Sequence, residues 1–293
     1  MNPEPLVTCV IVNWNGWQDT IACLDSLRRI EYSNLLVVVV DNGSTDDSVA
    51  RLREAHPDVC LIENGRNAGF AGGNNTGIRE AMRHDTEYIW LLNNDTVPAP
   101  GALREMIDMA QADPMLGAVG SVLFYASAPK KVQAWGGGWI NLWFGHSTHA
   151  TEQPRDGREL DFLTAASMLV RRIVFEQVGL MDDRYFLYWE DAELCYRLRR
   201  SGWKLGVAPQ GTVLHKVNAS AKKDKGAVDC YFTTSGIRFL CEYSSIPFFS
   251  AALFLSLRIL NRAVRGKADR IREVCRGAGD YLARDRRAAL PLR

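Results

Sequence analysis

The sequence has almost no net charge and no cysteine pattern typical of a metal site or a disulfide framework. It contains 35 lysines and arginines against 34 aspartates and glutamates in 293 residues. A chain so balanced has no general field that attracts nucleic acid, so no nucleic-acid partner is expected. Its seven cysteines are odd in number and form no C-x-x-C pair, which indicates a reduced, cytosolic protein without a zinc site.

Little in the sequence predicts export or a membrane span. Residues 1–5 carry neither a basic segment nor a long apolar core, so no signal peptide is expected. The longest apolar run, 246–257, is too short to span a bilayer. Residues 262–293 carry ten lysines or arginines against four acids, a local charge of 10 − 4 = +6. This basic end predicts contact with an anionic surface or simply a solvated helix face. The apolar run, followed by Arg258, Arg262 and Arg265, predicts a helix at the membrane interface or one packed on the domain or a partner subunit.

The first half of the chain alternates between strand and helix patterns. With 47% hydrophobic residues, the chain can bury a large core. Apolar runs predict strands at 7–12, 35–40, 59–62 and 89–95, with helices between them that include 46–55 and 73–84. Such alternation predicts an α/β fold whose mostly parallel central sheet has helices on both faces.

Polar residues follow two of these strands, at the edge where an open parallel sheet binds ligands. Asp95 ends the strand that begins at Ile89, and a carboxylate there suits a hard cation and phosphate oxygens. Asp41 ends another strand and leads through Asn42-Gly43-Ser44-Thr45 into a helix, whose free backbone N–H groups would face a bound group. An ordinary turn with Asp46 as the helix N-cap is the alternative.

A glycine-rich segment, 64–77, precedes and enters the helix predicted to begin near Gly73. Its glycines would let the backbone approach a ligand closely, and Arg66 and Asn67 add donors for phosphate or sugar oxygens. No Gly-Lys-Ser/Thr follows, so it is not a P-loop. A flexible loop is the alternative interpretation.

Two adjacent acids, Glu190 and Asp191, follow an aromatic run and begin a predicted helix in which Leu194 and Leu198 face inward. Adjacent side chains do not share a helix face, so one acid can reach a cleft while the other caps the helix or pairs with an arginine. A carboxylate under aromatic cover is a candidate general base. Two first-turn acids favoured by the helix dipole are the alternative.

In their order and spacing, these segments resemble the inverting glycosyltransferases of family 2 with the GT-A fold, especially the rhamnosyltransferase-like members of bacterial polysaccharide synthesis. The resemblance covers roughly residues 6–220. It is carried by Val10-Ile11-Val12-Asn13-Trp14-Asn15, Asp41-Asn42-Gly43-Ser44-Thr45-Asp46, Asn67-Ala68-Gly69-Phe70, Asn93-Asn94-Asp95, Ala165-Ala166-Ser167-Met168-Leu169, Trp189-Glu190-Asp191, and His215 with Ser220.

The resemblance implies a Rossmann-like GT-A catalytic domain over residues 1–220. Its nucleotide-binding half would span 1–115 and its acceptor-binding half 116–220. Residues 221–293 would form a C-terminal helical extension, basic and amphipathic.

The same resemblance implies roles for individual residues. Nucleotide and donor contacts fall to Asn13, Asn15, Asp41, Asn42, Ser44, Arg66, Asn67, Gly69, Asn93 and Asn94. Asp191 would be the catalytic base, and Asp95 and His215 would hold Mg²⁺ or Mn²⁺ on the donor diphosphate. We expect Ser167, Trp189 and Glu190 to contact the acceptor. Asn93 departs from the family by replacing the first acid of its D-x-D motif.

The implied activity is metal-dependent transfer of a sugar from a dTDP- or UDP-sugar to a glycan or polyprenyl-linked acceptor, in cell-surface polysaccharide synthesis. Overall likeness favours dTDP-rhamnose. A catalytically silent binding or assembly subunit and a nucleotide-sugar pyrophosphorylase are the alternatives. We expect a cytoplasmic protein at the inner face of the cell membrane, with the C-terminal helices making peripheral membrane contact or a homo-oligomer.

Overall fold

The computed structural model describes residues 4–155, 157–216 and 225–288, which fall into two units. The first unit contains the described residues up to Trp139, then 149–183 and 191–216. The second contains 140–148, 184–190 and the described residues from 225 onward, and we call it the helical unit. Ser220 and the predicted domain boundary at 220 lie outside the described residues.

Strands and helices alternate through the first part of the chain, as the sequence predicts. The strands are runs of valine, leucine and isoleucine, whose side chains suit a sheet covered on both faces. In order, the elements are β1 (Val7–Asn13), α1 (Trp17–Leu27), β2 (Leu35–Asp41), α2 (Ser48–Ala55), β3 (Cys60–Glu63), α3 (Gly69–Ala81) and β4 (Tyr88–Asn93).

Parallel pairing brings the carboxyl ends of three strands to one edge of the main sheet. β1 lies between β2 and β4, with Asn13 opposite Asp41 and Val12 opposite Asn93. β3 continues the parallel group beyond β2. Crossover helices between parallel strands return the chain to the same end of the sheet each time. The polar residues at the strand ends are thereby collected at one edge.

The later part of the first unit makes the sheet a mixed one. The elements from 96 to 215 are β5 (Thr96–Pro98), α4 (Ala102–Ala112), β6 (Leu116–Tyr125), β7 (Ala128–Trp135), β8 (Gly137–Asn141), β9 (His146–His149), β10 (Phe162–Leu163), β11 (Ser167–Arg171), α5 (Arg172–Val178), α6 (Glu190–Arg200) and β12 (Lys204–His215). β11 is antiparallel to β4 and β6, whereas β12 is parallel to β6 and antiparallel to β5. The strand order is β3-β2-β1-β4-β11-β6-β12-β5, with β7 on β6. The mostly parallel pattern therefore holds for β3, β2, β1 and β4.

Helices cover both faces of the sheet, because alternate residues of a strand point to opposite sides. On one face, Cys9 and Ile11 of β1 join a core with Leu24 of α1 and Leu103 of α4. On the other face, β1 meets α3.

The glycine-rich segment enters helix α3 earlier than predicted. α3 begins at Gly69 rather than near Gly73. A Cβ on Gly73 would lie 2.8 Å from Val12 Cγ1, and one on Gly77 would lie 2.3 Å from Val10 Cγ1. These two glycines therefore allow a helix to approach a strand closely, and packing explains them without a ligand.

The described part of the helical unit is mainly α7 (Lys225–Tyr243), α8 (Pro247–Val264) and α9 (Ala268–Ala288). Ile237, Leu240 and Phe254 form its apolar core. The predicted C-terminal helical extension is confirmed.

Helix α8 corrects the expectation that the apolar run is too short to span a bilayer. The helix continues past Leu257 to Val264, and its length and composition alone would allow it to cross a membrane. Phe248, Leu260 and Val264 are exposed on it. Core helices pass the same test, so this finding alone does not place α8 in a bilayer.

Candidate active site

Asp41 anchors the loop that follows β2 and is almost fully buried. Its Oδ2 accepts hydrogen bonds from Asn13 Nδ2 at 2.8 Å and from Ser44 Oγ at 2.6 Å. Its Oδ1 accepts from the Ser44 backbone N–H at 2.9 Å. The carboxylate thus holds the ends of β1 and β2 together and shapes the turn where a nucleotide is expected.

Asn15 holds the same turn from the other side. It has a left-handed backbone, with φ of 50°, which asparagine tolerates better than most residues. Its Oδ1 accepts from the backbone N–H groups of Thr45 at 2.8 Å and Asp46 at 3.3 Å. Asp47, not Asp46, occupies the N-cap position of α2 and makes no side-chain capping bond, although Asp46 Oδ1 does accept from Ser48 N.

Asn42 ties β2 to the segment before α3. Its Oδ1 accepts from Asn64 Nδ2 at 3.0 Å and from the Ala68 backbone N–H at 3.1 Å. Its Nδ2 donates to Asn67 Oδ1 at 3.1 Å and to the Gly69 carbonyl at 3.0 Å. Asn42 therefore holds the loop before α3 in place, and the outer side of this loop faces solvent.

Arg66 lies on that outward surface and is exposed. Gly43, with φ of 75°, passes so close beneath it that a Cβ would lie 2.5 Å from the Arg66 carbonyl carbon. The close packing at Gly43 fixes the backbone of Arg66, while its guanidinium group faces solvent.

A chain of neutral hydrogen bonds links Asn94, just after β4, to the Asp41 cluster. Asn94 Nδ2 donates to Thr20 Oγ1 at 3.0 Å, and Thr20 Oγ1 donates to Asn13 Oδ1 at 2.7 Å. Asn13 in turn donates to Asp41. Thr20 was not among the sequence candidates, because a threonine within an amphipathic helix gives no sign of its partner.

Asp95 and His215 form a close pair at the same edge. Antiparallel pairing of β12 with β5 places His215 opposite Thr96, and its Nε2 lies 3.1 Å from Asp95 Oδ1. His215 Nδ1 lies 3.0 Å from Gln133 Oε1, an oxygen that can only accept. This contact with Gln133 fixes the ring so that Nε2 faces Asp95. An imidazole oriented through its other nitrogen is the usual arrangement of a metal-binding histidine.

Asn93 completes this group with an unused acceptor. Its Nδ2 lies 3.4 Å from His215 Nε2, while its buried Oδ1 has no hydrogen-bond partner among the described residues. An amide oxygen, a carboxylate oxygen and an imidazole nitrogen together suit Mg²⁺ or Mn²⁺. Within residues 4–155, 157–216 and 225–288, no three His, Cys, Asp or Glu side chains could hold a metal ion. Asp95, His215 and Asn93 would therefore supply only part of a bound cation's ligands.

Asp191 lies at the start of α6 and is half-buried. Its carboxylate accepts the backbone N–H groups of Ala192 at 2.8 Å and Ala165 at 3.3 Å. Burial raises the pKa of Asp191, against smaller opposing effects of these backbone bonds and of His149. A carboxylate with a raised pKa is a stronger base once it has lost its proton. His149, which the sequence did not indicate, lowers the pKa of Asp191 electrostatically.

The residues just before Asp191 have an unusual backbone. Tyr188 and Trp189 both have positive φ, 69° and 71°, a conformation that stores strain in bulky residues. Trp189 is buried against Phe232 and Phe239 within the helical unit. It therefore fills an aromatic core, and its contact with the acceptor stays a prediction.

Glu190 and Ser167, the other predicted acceptor residues, are also buried. Ser167 Oγ accepts from Trp90 Nε1 at 3.0 Å and lies 2.7 Å from Ser121 Oγ, inside the sheet. Ser167 therefore joins strands, and its predicted contact with an acceptor stays a prediction.

Comparison with known families identifies the chain. Residues 8–179 match the model of the family described as "Glycosyl transferase family 2". The chain belongs to this family. The resemblance seen in the sequence is confirmed, the protein is a glycosyltransferase, and inversion at the sugar is typical of its family. The match ends before Asp191 and His215, so the roles of these two residues stay predictions.

Curated relatives of this glycosyltransferase include two rhamnosyltransferases. It is 31% identical to the N-acetylglucosaminyl-diphospho-decaprenol L-rhamnosyltransferase of Mycobacterium tuberculosis, over 69% of this chain and 73% of the relative. It is 24% identical to the dTDP-rhamnosyl transferase RfbF of Shigella flexneri, over 74% of this chain and 71% of that protein. The family membership favours a transferase over the pyrophosphorylase and silent-subunit alternatives.

A solved structure confirms the fold of the glycosyltransferase. The mannosyltransferase PcManGT of Pyrobaculum calidifontis, solved with GDP-Man and Mn²⁺, matches it with a TM-score of 0.60 and 17% identity. The match covers 96% of this chain and 88% of the mannosyltransferase. The GT-A fold, with helices on both faces of a mixed sheet, is thereby shown.

Proposed function

We propose that the protein is a divalent-cation-dependent inverting transferase that moves rhamnose from dTDP-rhamnose to the hydroxyl of a polyprenyl-linked glycan. The observation that carries the metal-dependent part is the Asp95–His215 pair, 3.1 Å apart, with Asn93 beside it, whose Oδ1 has no hydrogen-bond partner among the described residues. A carboxylate and an oriented imidazole with a spare amide oxygen form a coordinating set that a purely structural ion pair would not need.

The residues of the chain divide the work of a single displacement. Asp191 takes the proton of the acceptor hydroxyl as its oxygen forms a bond to the anomeric carbon. The bond from that carbon to the diphosphate breaks on the opposite side, and the nucleoside diphosphate leaves with the electron pair. Asp95, His215 and Asn93 would hold Mg²⁺ or Mn²⁺, which as a Lewis acid stabilises the leaving diphosphate. No covalent enzyme intermediate is required.

The donor assignment depends on the nucleotide edge and on the relatives. Asp41 and the turn through Ser44 shape the base and ribose pocket, and the loop around Asn67 and Arg66 presents donors for phosphate or sugar oxygens. Asn15 fixes the turn, and Asn94 connects it to β4. One relative is named for dTDP-rhamnosyl transfer and another for rhamnosyl transfer to a diphospho-decaprenol, which supports a pyrimidine donor and a lipid-linked acceptor.

Calorimetric binding tests the metal site without relying on turnover. UDP, dTDP, GDP and ADP are each titrated with Mn²⁺, with Mg²⁺ and with a chelator. We expect dTDP to bind only with a divalent cation, and Asp95→Ala to lose that binding. Asp113→Ala is the control, because Asp113 is a partly exposed acid whose side chain pairs with Lys204. Equal dTDP affinity with and without chelator, in wild type and Asp95→Ala alike, would remove the metal from the mechanism.

Transfer itself is tested with dTDP-rhamnose and a short-chain prenyl diphosphate carrying N-acetylglucosamine. We expect rhamnosylated product and dTDP in equal amounts. Transfer from a UDP-sugar but not from dTDP-rhamnose would overturn the donor assignment, and activity on free glycans alone would overturn the lipid-linked acceptor.

A further inference from the structure

The helical unit contains a cavity of about 560 Å³ that plays no part in the reaction described above. Its lining comes from the segment 141–147 and from α7 and α8, all within this unit. Phe144, Phe232, Phe254 and Leu257 make much of its interior apolar. Small-molecule sites commonly measure roughly 300–1,000 Å³, so the cavity can hold a ligand's head but not a long lipid chain.

One wall of the cavity is cationic. Arg258 and Arg262 line it, and both guanidinium groups also bond to Asp229, which is buried. Arg258 Nη2 lies 2.8 Å from Asp229 Oδ1, and Arg270 bonds to Oδ2 of the same carboxylate. Three guanidinium groups thus share one carboxylate, a local charge of 3 − 1 = +2.

The surplus charge acts on Arg258, which is packed against the ring of Phe232. Burial lowers the pKa of Arg258 to about 10, and repulsion from Arg262 and Arg270 adds to this against the attraction of Asp229. An anion at this wall would relieve the repulsion. The planar fork of arginine matches phosphate oxygens in particular, and burial strengthens such charge-assisted bonds.

Helix α8, which carries Arg258 and Arg262, has apolar side chains on its exposed side. Phe248 is 85% exposed, and Phe249, Leu260 and Val264 are also exposed. An amphipathic ligand could place its phosphate at the cationic wall, its first apolar units in the cavity, and the rest of its chain along this surface or in the lipid that surrounds it.

We propose that the cavity binds the phosphate end of the acceptor lipid, a diphosphate ester joined to an isoprenoid chain. Arg258 and Arg262 bind the diphosphate oxygens, and Phe144, Phe254 and Leu257 pack on the isoprene units nearest to it. This assignment depends on the proposed function, because only a transferase with a lipid-linked acceptor would need such a site.

The test is calorimetric binding of farnesyl diphosphate to the full chain, compared with inorganic diphosphate and farnesol. A chelator is present throughout, so that metal-mediated diphosphate binding at Asp95 does not contribute. We expect farnesyl diphosphate to bind more tightly than either half-molecule, because it engages the cationic wall and the apolar interior together.

Matched variants separate a ligand site from a structural arginine cluster. Arg262→Gln removes a guanidinium group that lines the cavity, while Arg270→Gln removes one that bonds to the same carboxylate but lies outside the lining. We expect Arg262→Gln to weaken binding about tenfold or more, as loss of charge-assisted hydrogen bonds predicts. Arg270→Gln should change it several times less. Equal effects of the two variants would overturn the site.

A second pair tests the apolar interior. Leu257→Asp places a charge in the cavity lining, whereas Leu260→Asp places one on the exposed side of the same helix. We expect only Leu257→Asp to abolish farnesyl diphosphate binding. Thermal unfolding of each variant shows that it is folded.

Two further comparisons distinguish this proposal from a bilayer-headgroup site and from failure of the proposed function. If phosphatidylglycerol vesicles bind wild type but not Arg262→Gln, and farnesyl diphosphate does not bind, the occupant is a bilayer headgroup and the acceptor assignment is overturned. If Arg262→Gln leaves farnesyl diphosphate binding intact while wild type still transfers rhamnose, the cavity assignment fails and the proposed function stands. Arginine-dependent binding without any transfer would sink the function instead.

Discussion

Two buried carboxylates, Asp41 and Asp229, are held in opposite ways. Asp41, at the end of β2, accepts hydrogen bonds from the neutral side chains of Asn13 and Ser44 and from a backbone N–H. Asp229, in α7, is bonded by three guanidinium groups. The two units therefore differ in how they stabilise a buried carboxylate. Neutral groups surround Asp41 at the strand ends, whereas a surplus of cations surrounds Asp229 in the helical unit.

The neutral construction of the strand ends matters for chemistry. Amides and hydroxyls hold the loops in place without cancelling the charge of nearby acids. Asp95 pairs with the imidazole of His215, and Asp191 is held by backbone N–H groups. Within the described residues, no arginine or lysine is recorded as an ion-pair partner of either carboxylate, as suits the proposed cation site and base.

The largest effect is expected from a substitution at Asp191. Asp191→Asn removes the base but preserves its shape, so we expect transfer to fall about 10²–10⁴-fold while dTDP affinity stays nearly unchanged. Steady-state kinetics together with calorimetry check both halves. Asp183→Asn, an exposed acid on the preceding segment, is the control and should retain full turnover. Near-normal turnover in Asp191→Asn would show that another group is the base.

The next largest effect is expected from exchanging the two buried acids for their amides. Burial alone would raise the pKa of Asp229, but bonds from Arg262 and Arg270 and the nearby positive charge lower it below its ordinary value. Asp229→Asn leaves buried cations unpaired and should destabilise the helical unit by about 3–5 kcal/mol. Asp41→Asn should lose only about 1–3 kcal/mol, because its partners are neutral.

Hydrogen exchange followed by mass spectrometry measures these losses separately, in α7–α9 and in β1–β2. The same reasoning gives a sign for pH. Since the folded-state pKa of Asp229 is lowered, its contribution to stability is present above the ordinary aspartate range and is lost as the pH falls through the folded value. If the helical unit were no more sensitive to acid than Asp229→Asn, charge pairing would not be what holds it.

A smaller effect tests packing in the helical unit with two glycines of α9. A Cβ on Gly277 would lie 2.4 Å from the Cys230 carbonyl oxygen, whereas one on Gly279 meets nothing within 4 Å. Gly277→Ala should destabilise by about 1–3 kcal/mol, through overpacking. Gly279→Ala should stabilise by roughly 0.5–1 kcal/mol, because alanine is the better helix former. Thermal unfolding of the two variants checks the opposite signs; the same sign in both would contradict close packing of α9 on α7.

The smallest expected effect concerns the stability cost of the base. The pKa of Asp191 is raised above its ordinary value of 3.8 by burial, so its ionised form destabilises the folded state at neutral pH. Asp191→Asn should therefore melt at a higher temperature than wild type at pH 7, with the gap closing as the pH falls below the ordinary value. The acid limb of the transfer rate should likewise lie above 3.8. Melting curves measured across pH test this prediction. A difference in melting temperature that does not change with pH would mean that burial does not raise the pKa of Asp191.

The sequence predicts the strand ends well because its signals are local. The apolar runs locate the ends of β2 and β4 without knowledge of any partner, although β4 ends at Asn93 rather than at Asp95. The start of α3 was missed because Gly73 and Gly77 look like loop residues until β1 is seen packed against them. Gln133, which orients His215 across a long stretch of chain, gives no local signal at all.

The burial of Ser167 and the ion pairs of Asp229 could not be predicted, because both depend on residues distant in the chain. Ser167 follows a small-residue stretch that reads equally well as a rim or a core, and only the pairing of β11 with β4 and β6 buries it. The partners of Asp229 are three arginines in other helices, and the sequence alone shows them as an ordinary basic tail.

The helical unit is not confined to the C-terminal part of the chain. Besides α7–α9 it includes the segments 140–148 and 184–190, so it is written in three separate stretches of sequence. Trp189, which packs on Phe232 and Phe239, is followed after one residue by the candidate base. A chimera that exchanges only the C-terminal helices between relatives would leave this tryptophan facing a foreign core. A chimera that tests whether the helical unit selects the acceptor should therefore exchange all three stretches together.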